Sequence, residues 1–259
     1  MNGARGSSEN PKDAAKPSEE GWRIPPAVLA LPEDEVHVWR ISLDAGPHSL
    51  ERCKASLADD ELERARRFRL PLHQARYIHG RAALRAILAR YQSRPAESLR
   101  FIYGPSGKPA LEDTRLQFNL SHSGGMALCA VARGRNVGVD LEAIRERRPV
   151  KRLAERFFAT GEAAVLRELN AADQTAAFFQ YWTLKEAYIK ARGDGLAIPL
   201  DRFEVQWRGD NAEAGLHALD EPDESKRWTL ITLGAVEGCA AALAVEGRDW
   251  RLRRWIYAQ

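Results

Sequence analysis

The stretch VGVDLEAI, Val137 to Ile144, sets two carboxylates one residue apart, Asp140 and Glu142, among Val137, Val139, Leu141 and Ile144. On a strand, residues i and i+2 point to the same face, about 7 Å apart at the α-carbon. Two unit charges about 6 Å apart repel by roughly 3 kcal/mol at an effective dielectric near 20. A partly buried site offsets that in one of three ways: a protonated carboxyl, flanking basic side chains, or a divalent cation between the pair. Mg²⁺ commonly takes one or two carboxylates together with waters and substrate phosphates. The alternative is a strand end emerging into solvent, with Glu142 opening the charged loop EAIRERR.

A second stretch, YWTLKEAYIKARGDGL, holds Lys185, Glu186 and Lys190. Glu186 and Lys190 are four residues apart and share a helical face. The neighbours Phe178, Phe179, Trp182, Ala187, Tyr188 and Ile189 are apolar, so the polar strip is narrow and the helix packs on several sides. A third carboxylate beside a lysine suits a metal–phosphate site, the lysine meeting phosphate oxygen or acting on a proton. The third stretch, FNLSHSGG, adds Ser121, His122 and Ser123 ahead of Gly124 and Gly125. Donors in such a turn can cradle phosphate. A nucleophilic serine is the rival, but no G-x-S-x-G elbow is present.

The elements that must position these residues follow from periodicity. EVHVWRISL (35–43) alternates as a strand. SLADDELERARRF reads as a helix capped by Ser56 or Asp59. HQARYIHGRAALRAILARY is a long amphipathic helix. LRFIYGPSGKPAL is a strand running into a Gly/Pro loop, and LQFNLSHSGGMALCAVAR is two strands around a turn at residues 121–125. NVGVDLEAI is a strand. VKRLAERFFATGEAAVLREL is helical with a break near Thr160 and Gly161. DQTAAFFQYWTLKEAYIKARGDGL is a long helix ending at Gly193 or Gly195, and RFEVQWRG, RWTLITLG and CAAALAVE are late strands. Strands and helices mix without strict alternation, which predicts an α+β fold. Both halves place a long helix among strands, so the chain divides into a disordered polar tail (1–22), an N-terminal half (23–134) and a C-terminal half (135–259).

Of 259 residues, 44% are hydrophobic, enough for a packed core. With 39 basic and 36 acidic residues the charge is nearly balanced, which argues against a nucleic-acid binder. Cys53, Cys129 and Cys239 are odd in number and lack metal spacing, so a cytoplasmic, reducing setting is expected. The first residues carry no apolar signal region, and no apolar run is long enough for a membrane span.

The stretches occur in the order N-x-S-H-S (119–123), G-V-D-x-E (138–142), F-F-x-x-x-E (157–162) and W-x-x-K-E-A-x-x-K-x-x-G-x-G-L (182–196), after an upstream GKP (107–109). This order and spacing, over roughly residues 57 to 200, resembles the single-chain, Sfp-type 4′-phosphopantetheinyl transferases. The resemblance implies two similar α/β subdomains related by a pseudo-twofold axis, with the active site in the cleft between them. It implies Mg²⁺-dependent (or Mn²⁺-dependent) transfer of 4′-phosphopantetheine from coenzyme A to a serine of an apo acyl or peptidyl carrier protein, releasing adenosine 3′,5′-bisphosphate. It also implies a monomer.

Carried over by motif, Asp140, Glu142 and Glu186 are the metal ligands, and Lys190 contacts phosphate and assists the proton or the leaving group. Ser121 and His122 bind phosphate of coenzyme A, His122 its 3′-phosphate. Lys108 and Pro109 line the adenine pocket, and Lys185 lies with Lys190 among the coenzyme A contacts. Arg64 and Arg76 meet nucleotide phosphates, while Arg81 aligns less well. Glu162 matches a position proposed as general base; Lys190 or a water on the metal are the other candidates. Basic residues in IRERRPVKR (144–152) are expected to face an acidic carrier helix. Rival readings are a coenzyme A binding module without transfer, a phosphohydrolase using two metals, and a structural partner in a biosynthetic complex.

Overall fold

Alternation decides which way each strand faces, and in this chain it sorts the apolar residues into separate layers. The computed structural model describes residues 21–258 apart from 45–46, 113, 147, 194–197, 219–220, 235 and 237. The first half holds β1 (Glu35–Ser42), α1 (Pro47–Ala55), α2 (Asp59–Arg66), α3 (Pro71–Gln92), β2 (Phe101–Tyr103), β3 (Pro109–Leu111), β4 (Leu116–Ser123) and β5 (Met126–Arg133). The second holds β6 (Val137–Ala143), α4 (Val150–Phe157), α5 (Thr160–Glu168), α6 (Ala171–Arg192), β7 (Phe203–Gln206), β8 (Glu213–Ala218), α7 (Glu224–Arg227), β9 (Trp228–Thr232), β10 (Cys239–Glu246) and β11 (Arg251–Tyr257). One sheet runs β11-β1-β5-β4, a second β6-β10-β9-β8-β7, and β2 and β3 form a small hairpin. The mixed α/β class agrees with the sequence.

Because side chains alternate along a strand, each central strand feeds two cores. From β5, Ala127, Cys129 and Val131 pack with Ile87 and Leu88 of α3, while Leu128, Ala130 and Ala132 join Val137, Val139 and Leu141 of β6. From β10, Ala241, Leu243 and Val245 face that same middle layer, while Ala240, Ala242 and Ala244 pack with Leu184, Ala187 and Tyr188 of α6. The strand β6 is therefore buried on both sides, and Asp140 and Glu142 alternate with the residues of the middle layer. Among the described residues, no helix is long and apolar enough to cross a membrane.

Close approach of α6 to β6 depends on one glycine. A Cβ built at Gly138 would lie 2.1 Å from the Ala187 carbonyl oxygen and 2.3 Å from the Ala191 amide nitrogen, both backbone atoms of α6. No side-chain rotation relieves such a contact. Gly138→Ala is expected to lower stability by about 3 kcal/mol, the upper end of the usual overpacking range. Urea unfolding reads this directly; an unshifted midpoint would mean that α6 lifts from the strand at no cost.

Several local expectations need correction. The division of the chain at 22/23 cuts too late, because Trp22 is buried in the middle layer and Arg23 bridges to Trp255; residues 1–20 lie outside the described residues. Neither Ser56 nor Asp59 caps α2. The cap is Ala58, whose N–H donates to the Glu61 carboxylate at 2.9 Å. The turn expected at 121–125 is shorter: β4 continues through Ser123, and only Gly124 and Gly125, with φ of 64° and 103°, make the two-residue connection. The break between the two middle helices falls at Phe158 and Ala159. The long helix, by contrast, ends as expected at Gly193, which follows Arg192 with φ 84° and donates to the Ile189 carbonyl; the rest of GDGL lies outside the described residues. The last strand, β11, pairs in parallel with β1 in the first sheet rather than with its neighbours in sequence.

Candidate active site

Helix α6 lies across β6, and their polar residues meet in one open cleft of about 950 Å³. Asp140 and Glu142 come from the strand, Glu186 and Lys190 from the helix, and Ser121 and His122 from the end of β4. Phe157, Trp182 and Leu200 form an apolar wall, with Arg156 and Asp201 beside it. Of these five, Phe157 and Trp182 stand in the motifs with aromatic bulk as their signal, whereas Arg156, Leu200 and Asp201 carry no local signal for the site.

Asp140 is the centre of the hydrogen bonding. Its Oδ1 accepts from Lys190 Nζ at 2.5 Å and from Ser121 Oγ at 2.8 Å, while its Oδ2 is buried with no hydrogen-bond partner. Glu142 accepts from Ser123 Oγ at 3.1 Å. Burial, and then the Asp140 charge, push the Glu142 carboxyl above its usual range. The same two causes raise Glu186, with Glu142 adding to them and Lys190 opposing. The three carboxylates thus repel one another through their charges, and the Lys190 ammonium opposes the shifts at Glu142 and Glu186. Partial burial, and then the Lys190 charge, hold the His122 imidazole below its ordinary pKa, so it is neutral at pH 7. Among the described residues, no three His, Cys, Asp or Glu side chains stand close enough together to hold a metal ion as arranged.

Other predicted site residues are placed elsewhere. Glu162 is sealed: Oε2 accepts from the Ala159 amide at 3.0 Å, Oε1 from the Val205 amide at 2.7 Å, and Lys185 Nζ lies 2.8 Å from Oε2. Lys185 is fully buried, and its remaining bonds go to the carbonyls of Leu200 and Phe203 at 2.8 and 2.5 Å. An ammonium has three donors, so none remains for a ligand. Neither residue lines the cleft. The i, i+1 step from Lys185 to Glu186 turns the helix by about 100°, enough to put the lysine inside and the carboxylate in the cleft.

The Ser121 hydroxyl is also committed. It donates to Asp140 and accepts from the Leu141 amide at 3.3 Å and Lys190 at 3.1 Å, which uses its one hydrogen and both lone pairs. Lys108 points inward and donates to the carbonyls of Lys190 at 2.6 Å, Val137 at 3.2 Å and Ala191 at 3.3 Å. Pro109 opens β3 opposite Tyr103, half-buried and outside the cleft lining. Arg76 makes a two-point bond to Asp44 (2.7 and 3.0 Å) that packs against Gly125, beside the β4–β5 turn. Exposed Arg64 lies over the Tyr77 ring, and Arg81 is buried on Glu61. None of the three arginines lines the cleft.

Comparison with known proteins places this chain in a family. The 4′-phosphopantetheinyl transferase superfamily model ACPS matches residues 136–244, the segment carrying Asp140, Glu142, Glu186 and Lys190. The 4′-phosphopantetheinyl transferase HetI of Nostoc sp. strain PCC 7120 is 40% identical over 91% of this chain and 98% of its own. The chain belongs to the 4′-phosphopantetheinyl transferase superfamily. The Bacillus subtilis transferase Sfp is 31% identical over 77% of this chain and 87% of its own. A holo-(acyl-carrier-protein) synthase from Bacillus anthracis, solved in complex with CoA (3′,5′-ADP), superposes on 44% of this chain and 96% of its own at 23% identity, with a TM-score of 0.36. The protein is accordingly a phosphopantetheinyl transferase of the HetI and Sfp kind.

Proposed function

We propose that this transferase moves 4′-phosphopantetheine from coenzyme A onto a serine hydroxyl of an apo carrier protein, with Mg²⁺ (or Mn²⁺) and with release of adenosine 3′,5′-bisphosphate. The observation that carries the reading is the convergence of Asp140, Glu142, Glu186, Lys190 and His122 in one cleft of a chain from this superfamily. In the reaction the serine oxygen forms a bond to the phosphorus bearing the pantetheine arm. The bond from that phosphorus to the nucleotide's bridging oxygen breaks, its electron pair leaving with the nucleotide, while the serine hydroxyl proton passes to a base in the cleft.

The donor chemistry of the residues present suits a hard divalent cation, on which the three carboxylates would have to close from their present arrangement. The buried Asp140 Oδ2 has no other partner, and two further carboxylates beside it are held above their usual pKa partly by its charge. Asp140, Glu142 and Glu186 would hold the ion, which supplies charge neutralisation at a pyrophosphate. Lys190 donates to the phosphate oxygens and to the departing nucleotide. Neutral His122, at the exposed end of β4, offers a ring N–H to the 3′-phosphate. Of the two side chains that the sequence offers as a base, only Lys190 reaches the cleft. Ser121 aligns Asp140 and Lys190 rather than donating to the ligand, and Lys185 and Glu162 hold the wall behind. Lys108 and Pro109 shape the nucleotide end through the backbone of their loop. Arg76, held on Asp44, and Arg64, over Tyr77, add positive charge that would attract phosphates at long range.

The proposed architecture is two halves meeting near residue 134 around a pseudo-twofold axis, with β11 from the end of the second returning to the sheet of the first. Support comes from the two 22-residue helices, α3 and α6, each laid on a mostly antiparallel sheet. The same reading takes the enzyme as a cytoplasmic monomer acting on carrier proteins.

Intact-protein mass spectrometry of an apo carrier panel, incubated with the enzyme, coenzyme A and Mg²⁺, tests the reaction. The expected result is a gain of one phosphopantetheine, lost with EDTA or when the carrier serine is changed to alanine. No gain on any carrier, together with tight coenzyme A binding, would replace transfer by simple binding.

A further inference from the structure

The carboxylate strand β6 has hydrogen-bonded neighbours on one edge only. On that edge it pairs with β10, Asp140 opposite Ala242 and Glu142 opposite Ala240. Its other edge faces β4, and the two strands share no backbone ladder. Backbone N–H and C=O groups buried without partners are costly, about 1–3 kcal/mol each. Here the partners are side chains. Asn119 Oδ1 accepts from the Val139 amide at 2.9 Å, Ser121 Oγ from the Leu141 amide at 3.3 Å, and Ser123 Oγ from the Ala143 amide at 3.0 Å. Lys108 Nζ donates to the Val137 carbonyl at the start of the same edge. The spacing is two residues on both strands, so each rung repeats the last.

Two of these rungs also hold a carboxylate. The Ser121 hydroxyl that accepts from Leu141 donates to Asp140, and the Ser123 hydroxyl that accepts from Ala143 donates to Glu142. Each serine thereby ties a carboxylate to the backbone one residue further along.

We propose that Asn119, Ser121 and Ser123 form a side-chain ladder that joins the two sheets at the carboxylate strand and makes Ser123 a positioning residue of the reaction. The inference rests on the metal reading of the site given above. It assigns two residues outside the cleft lining, Asn119 and Ser123, and explains why polar residues recur at every second place in FNLSHS. A hydroxyl at 123 aims the Glu142 carboxylate, and its loss frees that carboxylate to rotate while leaving coenzyme A contacts unchanged.

Two measurements test this. The first is amide hydrogen exchange on the unmodified protein. The ladder requires Val139, Leu141 and Ala143 to exchange as slowly as their β10-paired neighbours Gly138, Asp140 and Glu142. Rapid exchange at the three amides overturns the ladder, with no variant needed. The second is Mn²⁺ binding followed by the free-ion paramagnetic resonance signal, in the absence of substrates. Ser123→Ala is expected to weaken Mn²⁺ binding about tenfold and to speed Ala143 exchange, with the KM for coenzyme A within twofold; Ser123→Thr restores both. Unchanged Mn²⁺ affinity in Ser123→Ala overturns the positioning role. Protected amides in a protein that binds no Mn²⁺ at all uphold the ladder and instead overturn the metal reading on which the positioning role depends.

Discussion

Asp140→Asn lowers the rate of carrier modification by at least about 10²–10³-fold, the loss typical of removing one electrostatic contact at a phosphoryl or acyl centre. The substitution keeps the shape of the side chain. An amide oxygen in place of Oδ1 still accepts from Ser121 and Lys190, so the fold and the helix position persist. What disappears is the negative charge and the acceptor at Oδ2, the one atom of this carboxylate with nothing else to do. Lys190 keeps 29% of its side chain exposed, so solvent offsets most of the lost ion pairing and the stability cost stays near 1 kcal/mol. The checks are mass spectrometric turnover of an apo carrier and a thermal melt of the same preparation. Turnover close to that of the parent protein would end the assignment of Asp140 to the metal.

Glu162→Ala acts in the opposite sense: stability collapses while whatever remains folded keeps its turnover number. The Glu162–Lys185 pair is almost wholly out of water, with 3% and 0% of the side chains exposed. Burial pushes the Glu162 carboxyl up and pulls the Lys185 ammonium down, and their mutual attraction opposes both shifts. Removing the carboxylate strands a buried cation and two amides, those of Ala159 and Val205. Breaking such a pair from one side costs about 3–5 kcal/mol. For a chain of this size that corresponds to a fall of roughly 10 °C in Tm. The double variant Glu162→Leu/Lys185→Met recovers only the part of the loss due to the stranded charge, since the amides of Ala159 and Val205 and the carbonyls of Leu200 and Phe203 lose these partners in it as well. Urea unfolding of the two single variants and the double variant closes the cycle. A Glu162→Gln protein of normal stability and negligible turnover would restore this residue as the general base.

The two substitutions separate what could be read from spacing from what could not. The i+2 carboxylates of β6 and the i+4 pair of α6 follow from local periodicity, and the structure brings Asp140, Glu142, Glu186 and Lys190 together as those periods imply. Glu162 and Lys185 are 23 positions apart, and nothing local reveals that one ion pair consumes both. Motif position drew them toward the chemistry, whereas their burial assigns them to the wall. In the sequence, the nearness of Gly124 and Gly125 sets Ser121 in a turn whose donors can cradle phosphate. The strand instead runs on through Ser123 and spends its hydroxyls on β6. The long helices were found because their apolar positions repeat over many turns. Strands β8 and β11 were missed for compositional reasons: EAGLHA is short and interrupted by glycine, and RLRRWIY buries its apolar alternation among three arginines.

That last strand sets the timetable of biosynthesis. In the first sheet Glu35 lies opposite Arg251 and Ile41 opposite Tyr257, a separation of more than two hundred residues closed by parallel pairing. At a synthesis rate of about 5–20 residues per second, the nascent first half waits tens of seconds at most, but always with an unfilled sheet edge beside Trp39. Contacts this distant in sequence form late and slowly. The first half of the enzyme therefore cannot finish folding on the ribosome ahead of the second, and a chain cut short anywhere before Arg251 leaves the first sheet without its β11 edge.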